Sequence, residues 1–178
     1  LLSINTFGSI AVLFLASGQL EYLAFPLIVL VAVLRYLAFN MRLLKTKANK
    51  VYMGDAGSMF IGLTIIVLLS IGTQGESASF KPVVALWLVA VPLMDMAAIM
   101  VRRVRKGQSP FKPDREHLHH IFQKLGFSSR QTLVIIVLIS TSLALVGVLG
   151  EVFSIPEPLM FYGFVLLFWL YHSALSNV

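Results

Sequence analysis

The chain has 178 residues, 58% apolar and only 12% charged, with a formal charge of +6 and a positive mean hydropathy. Water-soluble domains carry about 25% charged and 45–50% apolar residues, so this composition excludes a soluble globule and points to a membrane-embedded chain. With no cysteine, disulfides and thiolate-held metals are excluded too.

The chain opens Leu1-Leu2-Ser3, with no Met and no basic segment before its apolar run. A signal peptide is therefore not expected, and a sequence continuing upstream is. A spanning helix needs about 20 mostly apolar residues, and six stretches approach or meet that length. They are residues 1–17, 20–39, 56–72, 82–101, 131–150 and 159–175. The last carries Trp169, Tyr171 and His172 near its end, where interfacial belts favour such residues. The fold class expected is all-α and membrane-integral, a single transmembrane domain over residues 1–178 with about six helices.

The linkers set the orientation. Residues 40–54 hold Arg42, Lys45, Lys47 and Lys50, and residues 102–130 hold eight more basic side chains. Twelve of the fourteen basic residues thus lie in alternate linkers, which the positive-inside rule places in the cytoplasm. The same rule accounts for the charge without a nucleic-acid partner. Glu21, Glu76, Glu151 and Glu157 lie in the opposite linkers.

The longer basic linker is expected to fold locally. Asp114 suits an N-cap, and Leu118, Ile121, Phe122 and Leu125 make the apolar stripe of an amphipathic helix. Gly126 suits its C′ stop. Ser128, with Gln131 three residues on, reads as a capping box opening the next span.

Three groups of residues have the chemistry of a site. His117, His119 and His120 sit on the short helix, with His117, His120 and Lys124 on one flank and His119 on the other. Such a basic face suits phosphate oxygens or anionic lipid headgroups. A zinc site is disfavoured, because no fourth ligand stands nearby. Asp55, in Met53-Gly54-Asp55-Ala56-Gly57-Ser58, falls at the mouth of the third span. It can supply a hard oxygen to magnesium, or cap its helix while Gly54, Ser58 and Gly62 form a packing stripe. Asp95 lies within the fourth span, where an ionisable group marks function or an ion pair, with Arg35 a candidate partner. Pro92 can kink that helix.

Val51-Tyr52-Met53-Gly54-Asp55-Ala56-Gly57-Ser58 resembles the Met-Gly-Asp-x-Gly-Ser signature of polyprenyl-phosphate N-acetylhexosamine-1-phosphate transferases. Pro92-Leu93-Met94-Asp95, Arg102-Arg103, Ser109-Pro110-Phe111 and Asp114-Arg115-Glu116-His117-Leu118-His119-His120 resemble that family's downstream block. The His-x-His-His form is similar to the branch using N-acetylglucosamine and undecaprenyl phosphate.

This resemblance implies attack by a lipid phosphate on a UDP-N-acetylhexosamine, with release of UMP, at the cytoplasmic face of a bacterial inner membrane. It implies magnesium, or alternatively manganese, with Asp55 as ligand. Asp55 and His119 would be catalytic, and Arg115, His117, His119, His120 and Asp95 would line the substrate. Membrane lipids are further expected partners, and a homodimer stays open. The family's adjacent aspartate pair and Asn-x-x-Asp-Gly segment are absent, and no two acids here are neighbours. The chain therefore resembles the carboxy-terminal half alone, and is expected to be inactive by itself. The alternative class is a transporter or flippase using Asp55 and Asp95 as ion sites. A purely structural subunit would leave the aspartate and histidine motifs unexplained.

Overall fold

The computed structural model describes residues 2–40, 51–75, 78–109 and 117–176, all helix and connecting turn without a strand among them. In chain order the helices are α1 (Leu2–Ala16), α2 (Leu20–Asn40), α3 (Gly54–Thr73), α4 (Pro82–Leu88), α5 (Ala90–Arg105), α6 (Leu118–Lys124), α7 (Ser129–Val152) and α8 (Glu157–Ser176). Each of the six apolar stretches is helical. By length and composition α2, α3 and α7 can each cross a membrane, and α4 with α5 raises the number to four among the described residues. These apolar helices make the chain an all-α membrane protein.

The fourth stretch departs from a single straight span. It breaks at Val89, and its two pieces, α4 and α5, bend by 81°. Pro92 supplies the reason. Its ring has no N–H to give the carbonyl of Leu88 and crowds that carbonyl sterically. The helical ladder therefore restarts at Ala90, and the Leu93 N–H bonds the Val89 carbonyl at 3.0 Å.

The chain divides into two compact units, Leu1–Ala85 and Leu86–Val178. In the first, α1 packs against α2 and α3, and Phe7, Ile10, Leu13 and Phe14 of α1 are almost wholly buried. Phe14 meets Tyr22 and Phe80, with ring centroids 5.7 and 6.2 Å away. In the second, α7 packs against α5 and α6, and α8 packs against α5. Trp87 and Phe164 meet edge to face at 5.6 Å.

Helices α1, α5, α6 and α7 end alike. A residue of positive φ donates to the carbonyl three back, and the next residue donates to the carbonyl five back. This paired closure satisfies two carbonyls that would otherwise be orphaned. At the end of α6 the turning residue is Gly126, at φ +91°, where a side chain would be strained. At the end of α7 it is Ser154, at φ +52°. The capping box at Ser128 and Gln131 forms as the spacing predicts, with both reciprocal bonds present.

Candidate functional site

The Met-Gly-Asp segment is set by a clamp at the end of α2. The Asn40 side-chain amide donates to the Val51 carbonyl and accepts from the Val51 N–H, both at 2.8 Å. The Tyr36 hydroxyl donates to the same carbonyl at 3.0 Å. Three bonds thus hold the approach to α3 beside the end of α2. Gly54 then takes φ +67°, and Met53 folds back over Gly57, where an added Cβ would stand 2.6 Å from the Met53 Cγ. Gly57 leaves room for the Met53 side chain, while Gly54 supplies the positive φ of the turn.

Asp55 lies exposed in the first turn of α3, where the helix dipole favours an anion. The expectation that it caps the helix is not met. The N-cap position belongs to Met53, which makes no side-chain cap bond. Among the described residues the packing stripe also finds no partner at Gly54 or Gly62, since a Cβ at either would meet nothing within 4 Å. The Asp55 carbonyl, rather than its carboxylate, accepts a 2.8 Å bond from the Ser58 hydroxyl.

Helix α6 is shorter than the sequence pattern suggests. It begins at Leu118, with His117 as its N-cap in extended conformation. The expected N-cap Asp114 and the candidate Arg115 lie outside the described residues. Leu118 and Ile121 are buried, but Leu125 is 57% exposed, so the apolar stripe packs only through its first part. Phe122 turns instead toward Phe127, at 5.9 Å.

The histidine side chain makes no cap bond of its own. Asp95 of α5 does that work from another element. Its Oδ1 accepts the Leu118 N–H at 3.0 Å, and its Oδ2 lies 3.0 Å from His117 Nδ1. The Tyr171 hydroxyl of α8 donates to Oδ1 at 3.2 Å. Asp95 therefore takes its partners from α6 and α8, while Arg35, the partner considered from sequence, is an exposed residue of the first unit.

The three histidine rings gather instead of dividing between two flanks. The His119 ring lies parallel to that of His117 at 6.0 Å and 4.0 Å from that of His120. His117 stands just outside the helix, in extended backbone, so its ring does not follow the helical period and comes to the side of His119, while His119 and His120 are consecutive residues of α6. The His119 side chain is exposed, and slight desolvation is the first cause holding its imidazole below the ordinary 6.5, with the neighbouring His120 and His117 acting the same way against Asp95. His119 is thus a neutral donor and acceptor near pH 7, surrounded by groups that can bind phosphate oxygens. Among the described residues no group of three or more His, Cys, Asp or Glu is arranged to hold a metal.

Asp55 belongs to the first unit, and Asp95, His117, His119 and His120 belong to the second. Within the second unit the structure brings Asp95 together with the histidines. Tyr171 is the member that sequence reasoning missed, since an aromatic residue near the end of an apolar run reads as an interfacial anchor.

Residues 1–73 match the family described as glycosyl transferase family 4. Over 176 residues the chain is 45% identical to the undecaprenyl-phosphate alpha-N-acetylglucosaminyl 1-phosphate transferase of Pasteurella multocida, covering 99% of this chain and 49% of that protein. The protein of the same name from Haemophilus influenzae is 45% identical over 176 residues, 99% of this chain and 50% of its own length. That of Escherichia coli K12 is 45% identical over 171 residues, 96% and 46% respectively. The chain spans about half the length of these curated relatives. No solved structure matches it.

Proposed function

We propose, from the match of residues 1–73 to the family described as glycosyl transferase family 4, that the protein transfers N-acetylglucosamine-1-phosphate from a UDP-sugar to undecaprenyl phosphate. An oxygen of the lipid phosphate forms a bond to the sugar-linked phosphorus as the bond to the uridine-bearing phosphate breaks. The products are a lipid diphosphate sugar and UMP, and the lipid-linked sugar begins a cell-surface polysaccharide. The observation that carries this reading is the cluster of three imidazoles at the start of α6, pinned at its base by Asp95.

Phosphoryl transfer asks the protein chiefly to position its reactants and to stabilise charge on oxygen. His117, His119, His120 and Arg115 would hold the donor's phosphate oxygens, and Asp95 would belong to the same surroundings. Neutral His119 can donate to an oxygen without adding a fixed charge. Asp55, an exposed hard-oxygen donor, fits magnesium, which binds through one or two carboxylates together with substrate phosphates. When bound, the ion, or manganese in its place, supplies charge neutralisation at the diphosphate. The site would face the cytoplasm of a bacterial inner membrane, on the side of the two basic linkers.

One observation speaks for the transport alternative, because discontinuous helices such as α4 and α5 are common in transporters. Substitution separates the two. In the full-length protein, Asp55→Asn should lower sugar-phosphate transfer by about 100-fold or more, the scale of losing a group that stabilises transition-state charge. Its exposed position leaves expression and folding intact. His119→Ala should raise KM for the UDP-sugar more than it weakens retention of the lipid phosphate. Unchanged turnover in the Asp55 variant would remove the metal-ligand assignment. A loss confined to membrane association in the His119 variant would make the histidines a headgroup anchor.

A further inference from the structure

Helix α6 has seven residues, too few to persist by its own hydrogen bonds. Only Leu118 and Ile121 of it are buried. Its unbonded N-terminal N–H groups need an acceptor, and the residue at its N-cap supplies none from its side chain. Asp95 meets that need. The carboxylate is 15% exposed and engaged on both oxygens, Oδ1 by the Leu118 N–H and the Tyr171 hydroxyl and Oδ2 by His117. A negative charge at a helix start is also favoured by the helix dipole.

We infer that Asp95 and Tyr171 are positioning residues that fix the place of α6 and the tautomer of His117, and so aim the histidine cluster at the donor phosphates. The inference rests on the function proposed above. Tyr171 holds the carboxylate in the one orientation that serves both the helix start and the ring. A ring nitrogen facing a carboxylate oxygen acts as donor, so His117 carries its proton on Nδ1. Its other nitrogen, Nε2, is then the ring atom available to a ligand, on a side chain that is 49% exposed. A carboxylate that orients an imidazole in this way is a recurrent device wherever the far nitrogen does the binding.

The test uses the full-length protein. Tyr171→Phe removes one hydroxyl and keeps the ring, so the fold is preserved. It should raise KM for the UDP-sugar about tenfold, the worth of one hydrogen bond to a charged group, with KM for the lipid phosphate unchanged. Asp95→Ala should cost more, and adding Tyr171→Phe to it should cost nothing further, because residues acting through one another are not additive. The spectroscopic arm reads the ring directly. In protein labelled with ¹⁵N-histidine, neutral His117 should be protonated on Nδ1. In Asp95→Asn the proton should move to Nε2, since the amide oxygen is kept by Leu118 and Tyr171 and the NH₂ group then faces Nδ1.

Additive losses in the double variant would overturn the inference, as would a wild-type His117 protonated on Nε2. So would an unchanged UDP-sugar KM in Tyr171→Phe beside a large rise in Asp95→Asn, which would make Asp95 a substrate ligand itself. The ring measurement needs no turnover. If the wild-type protein transferred no sugar phosphate, the proposed function would fall while the tautomer still decided the anchor.

Discussion

His119 shows how a residue's surroundings set what it can do. Its exposed imidazole is held below 6.5 by slight desolvation and by two neighbouring histidines, whereas in the unfolded chain it has the ordinary value. Between the two values the unfolded state binds the extra proton. The resulting stability is fully present above 6.5 and is lost as pH falls through the lowered folded value. Histidine NMR titration should therefore give His119 a midpoint below 6.5, and His119→Gln should remove its share of the acid sensitivity. A midpoint at or above 6.5 would show that desolvation and the neighbouring histidines do not govern this ring. The sequence named all three histidines, but not that their rings touch. The approach of the His117 ring depends on that residue leaving the helical period in extended backbone.

At the scale of elements, local pattern was a good guide to helix ends and a poor one to helix continuity. The capping box at Ser128 and Gln131 and the stop at Gly126 form where short-range chemistry dictates. Ser128→Ala should lower stability by about 1 kcal/mol through the lost cap. Gly126→Ala should cost about 1 kcal/mol by forcing a Cβ into the left-handed region. Both are measurable as reduced thermal stability in detergent. The break at Val89 needed Pro92 to be weighed against a long apolar run, and the apolar run alone gave a single span. Pro92→Ala restores an N–H that can bond the Leu88 carbonyl. Hydrogen exchange at residues 89–92 should then slow, and unchanged exchange would place the cause of the break elsewhere.

For the whole molecule, the distribution of basic residues predicts sidedness, and the absence of cysteine makes the prediction clean to test. Single substitutions Ala48→Cys and Gln108→Cys should label only from the cytoplasm, and Gln74→Cys only from the opposite side. Labelling of positions 74 and 108 from one side would make α4 and α5 a re-entrant pair rather than a broken span. The missing aspartate pair gives a further expectation. Residues 1–178 alone, in detergent with magnesium, UDP-N-acetylglucosamine and undecaprenyl phosphate, should transfer no sugar phosphate, and measurable transfer would show that the pair is dispensable.

What the sequence determined by itself is whatever depends on near neighbours and on solvent preference. Apolar run length determined the membrane helices, charge placement the expected cytoplasmic side, and motif order the resemblance to a transferase family. What only the tertiary structure decided is which side chains meet across the chain. Asp95 lies 22 residues from His117 and 76 from Tyr171, and no periodicity links such separations. Their meeting follows from the α6 start and α8 both reaching the half-buried carboxylate of α5, which must find donors wherever the fold supplies them.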